Sequence, residues 1–265
     1  MNRPGWNPGR RNRHVGTGAH GHGQNNALVI PDPTRGHLTY AEQLGKPVCV
    51  LRNIAGVPMR FFVQAPSSGF FHPCTVDDVC TLLSHCPPED WRKVDFIVMR
   101  QPTRKQQMLR AVWGQAVWHF QGVPAPGPAI VLQAQSLAPF SWSRSLTPDD
   151  VRELDRLRMD GHEVQPTRRH WRIVSTPAAV RHTMLFRTLL HEIGHHVDHA
   201  EVLATDVWWS ELTPKRKEDF AHRYAEKLFA RLHGQGVLPF AQQALDEQAL
   251  AATGMQADWF KPPDS

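Results

Sequence analysis

The chain has 265 residues, enough for one or two domains with a substantial core. Hydrophobic residues make up 41% and charged residues 21%, a balance that excludes wholesale disorder, and no apolar run reaches the roughly 18 residues of a transmembrane helix. A net charge of +5 permits contact with nucleic acid or an acidic partner, four Cys are too few for a disulfide scaffold, and sixteen His stand out as the unusual count.

Residues 1–26 hold six Gly, two Pro, four Arg, three His and no acid, without helical or strand periodicity. They predict a disordered basic tail, either a solvated arm or one that binds nucleic acid. The tail has no apolar stretch of signal-peptide type, so a cytoplasmic protein is expected, with export lacking a cleaved signal left open. Residues 27–90 read as a small α+β unit. Two β-rich runs, 47–54 and 57–64, flank Ala55-Gly56 as in a hairpin. Thr75 then caps a helix over 76–84 with Asp77 and Asp78 in its first turn. Pro87-Pro88 marks the boundary to a second unit, residues 91–265.

In that unit, 94–100, 111–120, 129–136 and 171–175 read as strands, with a polar helix or loop over 103–110. Three Thr-Pro pairs, Thr147-Pro148, Thr176-Pro177 and Thr213-Pro214, each combine an N-cap with a first-turn proline. They open helices predicted to end at Gly161, near Ala204 and at His233. A last helix is expected over 239–252. Strands precede helices, which predicts an α+β fold with a small mixed sheet packed on a helical C-terminal half.

The long helix reads His191-Glu192-Ile193-Gly194-His195-His196-Val197-Asp198-His199. His191 and His195 stand one turn apart on one face, where two imidazoles can grip one Zn²⁺. Glu192 is rotated about 100° away and reaches a water on the open side of the metal, the HExxH arrangement of zinc metallopeptidases. Chance alone gives about 0.04 such motifs in this composition. A third ligand is needed. His199 lies farther along the same helix and is a poor one. On the next helix Ala221, Tyr224, Ala225, Leu228 and Leu232 form an inward stripe, and Glu218 falls at its N-terminal end. A carboxylate on an apolar face is costly unless paired or metal-bound, so Glu218 is favoured over Glu211 and Asp219.

FRTLLHEIGHHVDH, followed by Glu218-Asp-Phe-Ala221-His-Arg-Tyr224-Ala225, resembles the ImmA/IrrE family of metallopeptidases. HEIGHHVD with EDFA is also similar to the catalytic domain of anthrax lethal factor, in the same broad gluzincin group. The resemblance covers roughly residues 170–232. It implies a zincin-like fold for 91–265, with His191, His195 and Glu218 as zinc ligands and Glu192 as catalytic base. The chain departs from ImmA/IrrE in lacking a helix-turn-helix, in a stretch at 138–170 that interrupts the strands, and in Tyr at 224.

The expected function is zinc-dependent hydrolysis of peptide bonds in a protein or peptide substrate. Zinc polarises the scissile carbonyl and activates a water, and Glu192 carries the proton to the leaving amine. His222 and Tyr224 are the candidates for stabilising the oxyanion. Asp198 is a candidate to hold the His195 ring. Substrate is expected as an added strand, on 111–120 or 171–175. Two alternatives stand beside this: a DNA-associated or stress-response regulator of ImmA/IrrE type, and a secreted metalloprotease toxin or effector. No membrane partner is expected. His72, Cys74, Cys80, His85 and Cys86 form a second cluster whose spacing matches no zinc module, and Cys80 reads as a buried free thiol. Trp208-Trp209 reads equally as a substrate-gripping lip or a core plug.

Overall fold

The computed structural model describes residues 44–103, 106–107 and 113–263, which are α+β. The expected tail and most of 103–110 lie outside them. The hairpin forms as the sequence indicates, with β1 at Val48–Ile54 and β2 at Val57–Val63. Ala55 and Gly56 both have positive φ, 49° and 84°, which matches the right-handed twist of the paired strands. The Gly56 N–H donates to Asn53 Oδ1 at 2.8 Å and closes the turn.

Helix α1, Val76–His85, starts on a reciprocal capping box between Thr75 and Asp78. A one-turn helix, α2, follows at Pro88–Trp91. Strand β3, Phe96–Arg100, is buried along its whole length. It pairs parallel with β2 on one side and with β5, Gly127–Gln133, on the other. One sheet therefore runs across Pro87-Pro88. Strand β4, Gly114–Phe120, pairs antiparallel with β5 and completes the order β1-β2-β3-β5-β4, a small mixed sheet with β4 at one edge.

A second, antiparallel sheet has the order β6-β8-β7, from Phe140–Ser143, His170–Val174 and Glu163–Pro166. Helix α3, Pro148–Met159, packs Leu154 and Leu157 on Ile173 of this sheet. The expected strand at 171–175 is thus β8, paired on both sides, and it has no edge to offer an added strand. β4 does.

From Thr176 a continuous helical run spans 177–203. It begins as α4, Pro177–His182, passes through a π-helical turn at Thr183–Thr188, and continues as α5, Leu189–Leu203. Helix α6, Pro214–Gly234, packs alongside it with Ala221, Ala225, Leu228 and Leu232 buried. The main core lies between α5, α6 and one sheet face, where Phe61, Ile97, Met99 and Ile130 meet Leu189 and Ile193. Alternate residues of the same strands, Phe62, Phe96, Val98 and Val131, form a smaller cluster on the other face.

The last helix is shorter than the expected 239–252. α7 covers Glu247–Thr253, capped by Asp246. The preceding segment spends its backbone elsewhere: Arg181 donates to the Phe240 carbonyl at 3.0 Å, and the Gln243 N–H donates to Asp78 at 3.2 Å. Among the described residues, no helix is long and apolar enough to cross a membrane.

Candidate metal centre

Two helices and an edge strand meet at the HExxH segment. Gly194 has no side chain at the point where α5 touches α6: a Cβ there would lie 3.1 Å from both the Cα and the carbonyl oxygen of Ala221. The two backbones therefore come together one turn from Glu218. Nε2 of His191 stands 3.3 Å from Glu218 Oε2, and Nε2 of His195 stands 3.5 Å from Glu218 Oε1. One ligand atom from each residue falls within a sphere of mutual separation 4.8 Å.

These distances suit a metal. With bonds of about 2.0–2.1 Å, neighbouring ligands of a tetrahedral zinc lie about 3.3–3.4 Å apart. Imidazole and carboxylate are donors that zinc accepts. The charges agree. Hydrogen bonds from His191 and His195 hold the Glu218 carboxyl far below the usual carboxylate range. Burial works against charge on His195, but its bond to Glu218 and the fields of Glu192, Glu218 and Asp198 outweigh that and raise its pKa. The centre favours positive charge between its three side chains.

Glu192 sits beside them, buried, on the side of β4. Burial raises its pKa, while the neighbouring imidazoles and a backbone hydrogen bond from Ala116 oppose the rise. A Cβ on Gly114 would lie 3.1 Å from Glu192 Cγ, so the strand approaches this closely only because residue 114 is glycine.

Two adjacent cavities open on the centre, of about 770 and 460 Å³, and both are lined by Gly114, His191, Glu192 and Glu218. The larger extends under α3, past Trp113, Trp142 and Arg156, to His222. The smaller runs along β4 to Trp118, Trp209 and Lys217.

His222 therefore reaches the centre. Its ring lies 4.4 Å from that of His191, and burial, with the charges of His191 and Arg156, lowers its pKa to about 3. Tyr224 does not: its hydroxyl donates to Asp90 Oδ2 at 2.7 Å, and it lines neither cavity. Its ring serves instead as packing beside Gly194. Asp198 is engaged in an ion pair with Arg216, and its field still reaches His195. Asp219 is partly exposed in an ion pair with Lys215 at 3.0 Å, and Glu211 is exposed in the preceding 3-10 turn.

His199 is stacked on Trp118 at 4.3 Å, and Trp209 stands edge-on to both rings. Trp209 is thus a wall of the smaller cavity, while Trp208 is 71% exposed. His196 donates to the Ala129 carbonyl at 3.1 Å and ties α5 to β5. Among the described residues, no other group of His, Cys, Asp and Glu has metal-ligand geometry. His72 bonds the Gln64 carbonyl, and all four cysteines are free, with burial pushing the Cys80 and Cys86 thiols up to about 12.

Sequence reasoning missed Arg156, Arg187 and Trp113 as cavity residues: Arg156 comes from the segment that interrupts the strands, Arg187 from the π-helical turn, and Trp113 from the position just before β4. A comparison with family models, curated proteins and solved structures finds no match to this chain.

Proposed function

We propose that this protein is a zinc-dependent metallopeptidase with a zincin-like catalytic region, held to its metal by His191, His195 and Glu218. The observation that carries the reading is the convergence of these three donors within 4.8 Å, with Glu192 beside them in the same cleft. When bound, zinc supplies Lewis acidity toward a substrate carbonyl and an attacking water.

The chain's own residues do the rest. Glu192 is no part of the donor trio, and its carboxylate is free to take a proton from the attacking water and return it to the leaving amine. The N–H of Ala116 fixes that carboxylate from the edge strand. Strand β4 has one side unpaired in the sheet and borders both cavities, which suits a substrate laid alongside it in extended form. His222 lies within reach of the larger cavity and is kept neutral, able to hydrogen-bond without adding charge.

The experiment compares wild type, Glu192→Gln and chelator-treated wild type on one proteome-derived peptide library. Cleavage by untreated wild type, lowered about 10²–10⁴-fold or more in Glu192→Gln at unchanged zinc content, is the expected result. Equal cleavage by Glu192→Gln overturns the assigned base, and cleavage that survives chelation overturns the metal.

A further inference from the structure

The segment between β5 and α4 returns to form one wall of the larger cavity, and α3 turns Arg156 toward His222 across it. Arg156 Nη1 lies 3.4 Å from His222 Nε2 and 3.6 Å from Glu153 Oε2, and Nη2 lies 3.6 Å from Glu226 Oε1. Each separation exceeds the about 2.9 Å of a full-strength N–H···O bond. The guanidinium is surrounded on three sides and committed to none.

Glu153 is itself fixed. Its Oε1 accepts from Arg187 at 2.7 Å, and Arg187 bonds Asp160 at 2.6 Å. Arg156 therefore stands in a stiff frame with its donors underused. Its side chain is 21% exposed, partly desolvated yet open to the cavity. An arginine is charged at every accessible pH and offers five donors in a planar fork. Such a group binds an oxygen more tightly as negative charge develops on it, and a partly desolvated setting strengthens the effect.

We propose that Arg156 is a catalytic residue that binds the carbonyl oxygen of the scissile peptide bond, with His222 aligning its guanidinium. The inference rests on the peptidase reading. It gives the segment between β5 and α4 a chemical task, since without α3 the cleft would hold His191, His195, Glu192 and Glu218 but no cationic donor from this wall. A purely structural role, an ion-pair bridge from α3 to Glu226 of α6, makes a different forecast: removing either end of the bridge then has the same effect.

The test uses the zinc-loaded full chain and two probes measured by calorimetry. One is a phosphoryl-leucyl-tryptophan dipeptide, whose tetrahedral oxygens stand in for the attacked carbonyl; the other is a leucyl-tryptophan hydroxamate, which grips metal without calling on Arg156. Arg156→Met should bind the phosphoryl probe about 10²–10³-fold more weakly, the loss typical of one missing oxyanion donor, and the hydroxamate within about threefold of wild type. Glu226→Gln should leave both affinities within about threefold. Arg156→Lys, which keeps the charge and safeguards the test if the methionine variant does not fold, should fall between. If the ratio of the two affinities is unchanged in the Arg156 variants, or Glu226→Gln lowers it as much, the inference is overturned while the peptidase reading stands. If zinc-loaded wild type binds neither probe, the peptidase reading fails and takes the inference with it.

Discussion

Gly114 faces Glu192 with no room for a methyl group between them. A Cβ on Gly114 would stand 2.5 Å from Thr188 Cγ2 and 3.1 Å from the Glu192 carboxylate oxygen. The contact with Thr188 is closer than real Cβ atoms approach, and Thr188 sits at the end of the π-helical turn, where its backbone has little freedom to retreat. Gly114→Ala should therefore push β4 away from α5 and turn Glu192 from its Ala116 bond. The expected cost is about 1–3 kcal/mol in a urea melt, typical of overpacking. Peptide cleavage should fall by more than zinc affinity does, because the added methyl meets Thr188 and Glu192 first rather than a ligand. Wild-type stability and activity in this variant would show that the strand yields freely.

Gly194 makes the corresponding prediction for the metal. A Cβ there meets Tyr224 Cδ1 at 3.0 Å, and Ala221 Cα and O at 3.1 Å. The tyrosine ring is pinned by its bond to Asp90, and the other two atoms are backbone. Gly194→Ala should move α6 outward by a few tenths of an ångström and carry Glu218 with it. Zinc affinity should drop while both histidines stay in register on α5. A variant that keeps wild-type affinity, measured by competition with a chelating dye, would separate helix contact from ligand placement.

The α+β class and four of the helix starts were legible because their signals are local. Thr75, Thr147, Thr176 and Thr213 each accept the expected cap bond from the residue three positions on. Helical spacing placed His191, Glu192 and His195 relative to one another, and Glu218 does meet the two histidines, but its carboxylate is more than half exposed rather than turned inward on the apolar stripe. What stayed hidden depends on tertiary placement. β6 and β7 are four residues each and only partly buried, so alternation never builds a signal. Tyr224 fits the inward stripe, yet the position of Asp90 on α2 decides where its hydroxyl points. Arg156 reads as one more charge on a solvated helix until the sheet beneath α3 sets it over the cavity.

Metal removal should cost stability. A ligand that binds only the folded state contributes RT ln(1 + [L]/Kd), about 4 kcal/mol at a thousandfold excess over Kd. Chelation should lower Tm, and added zinc should restore it. Glu218→Ala should abolish the zinc-dependent part of Tm, because two imidazoles alone hold the ion poorly. Asp219→Ala, which breaks only the exposed pair with Lys215, should keep the zinc response. If Asp219→Ala loses the response and Glu218→Ala keeps it, the third ligand has been assigned to the wrong carboxylate.

Two histidines remote from the metal should make the fold acid-sensitive. His162 is 4% exposed between Ser175 Oγ and Thr183 Oγ1, at 2.8 Å from each, and His72 is 1% exposed against the Gln64 carbonyl. Burial lowers each pKa from 6.5 to about 4; at His162 the positive fields of Arg187 and His182 assist and that of Asp160 opposes. Below pH 6.5 the unfolded chain binds protons that the folded chain refuses, so stability falls as pH falls toward 4. The slope is about 1.4 kcal/mol per pH unit for each proton taken up. Urea melts at pH 7, 6 and 5 should show stability falling with this sign. His162→Gln keeps a side chain that can bond both hydroxyls but removes the titration. It should be less stable than wild type at pH 7, yet lose less stability between pH 7 and pH 5. Parallel losses in the two proteins over that range would show that His162 takes up its proton in the folded state.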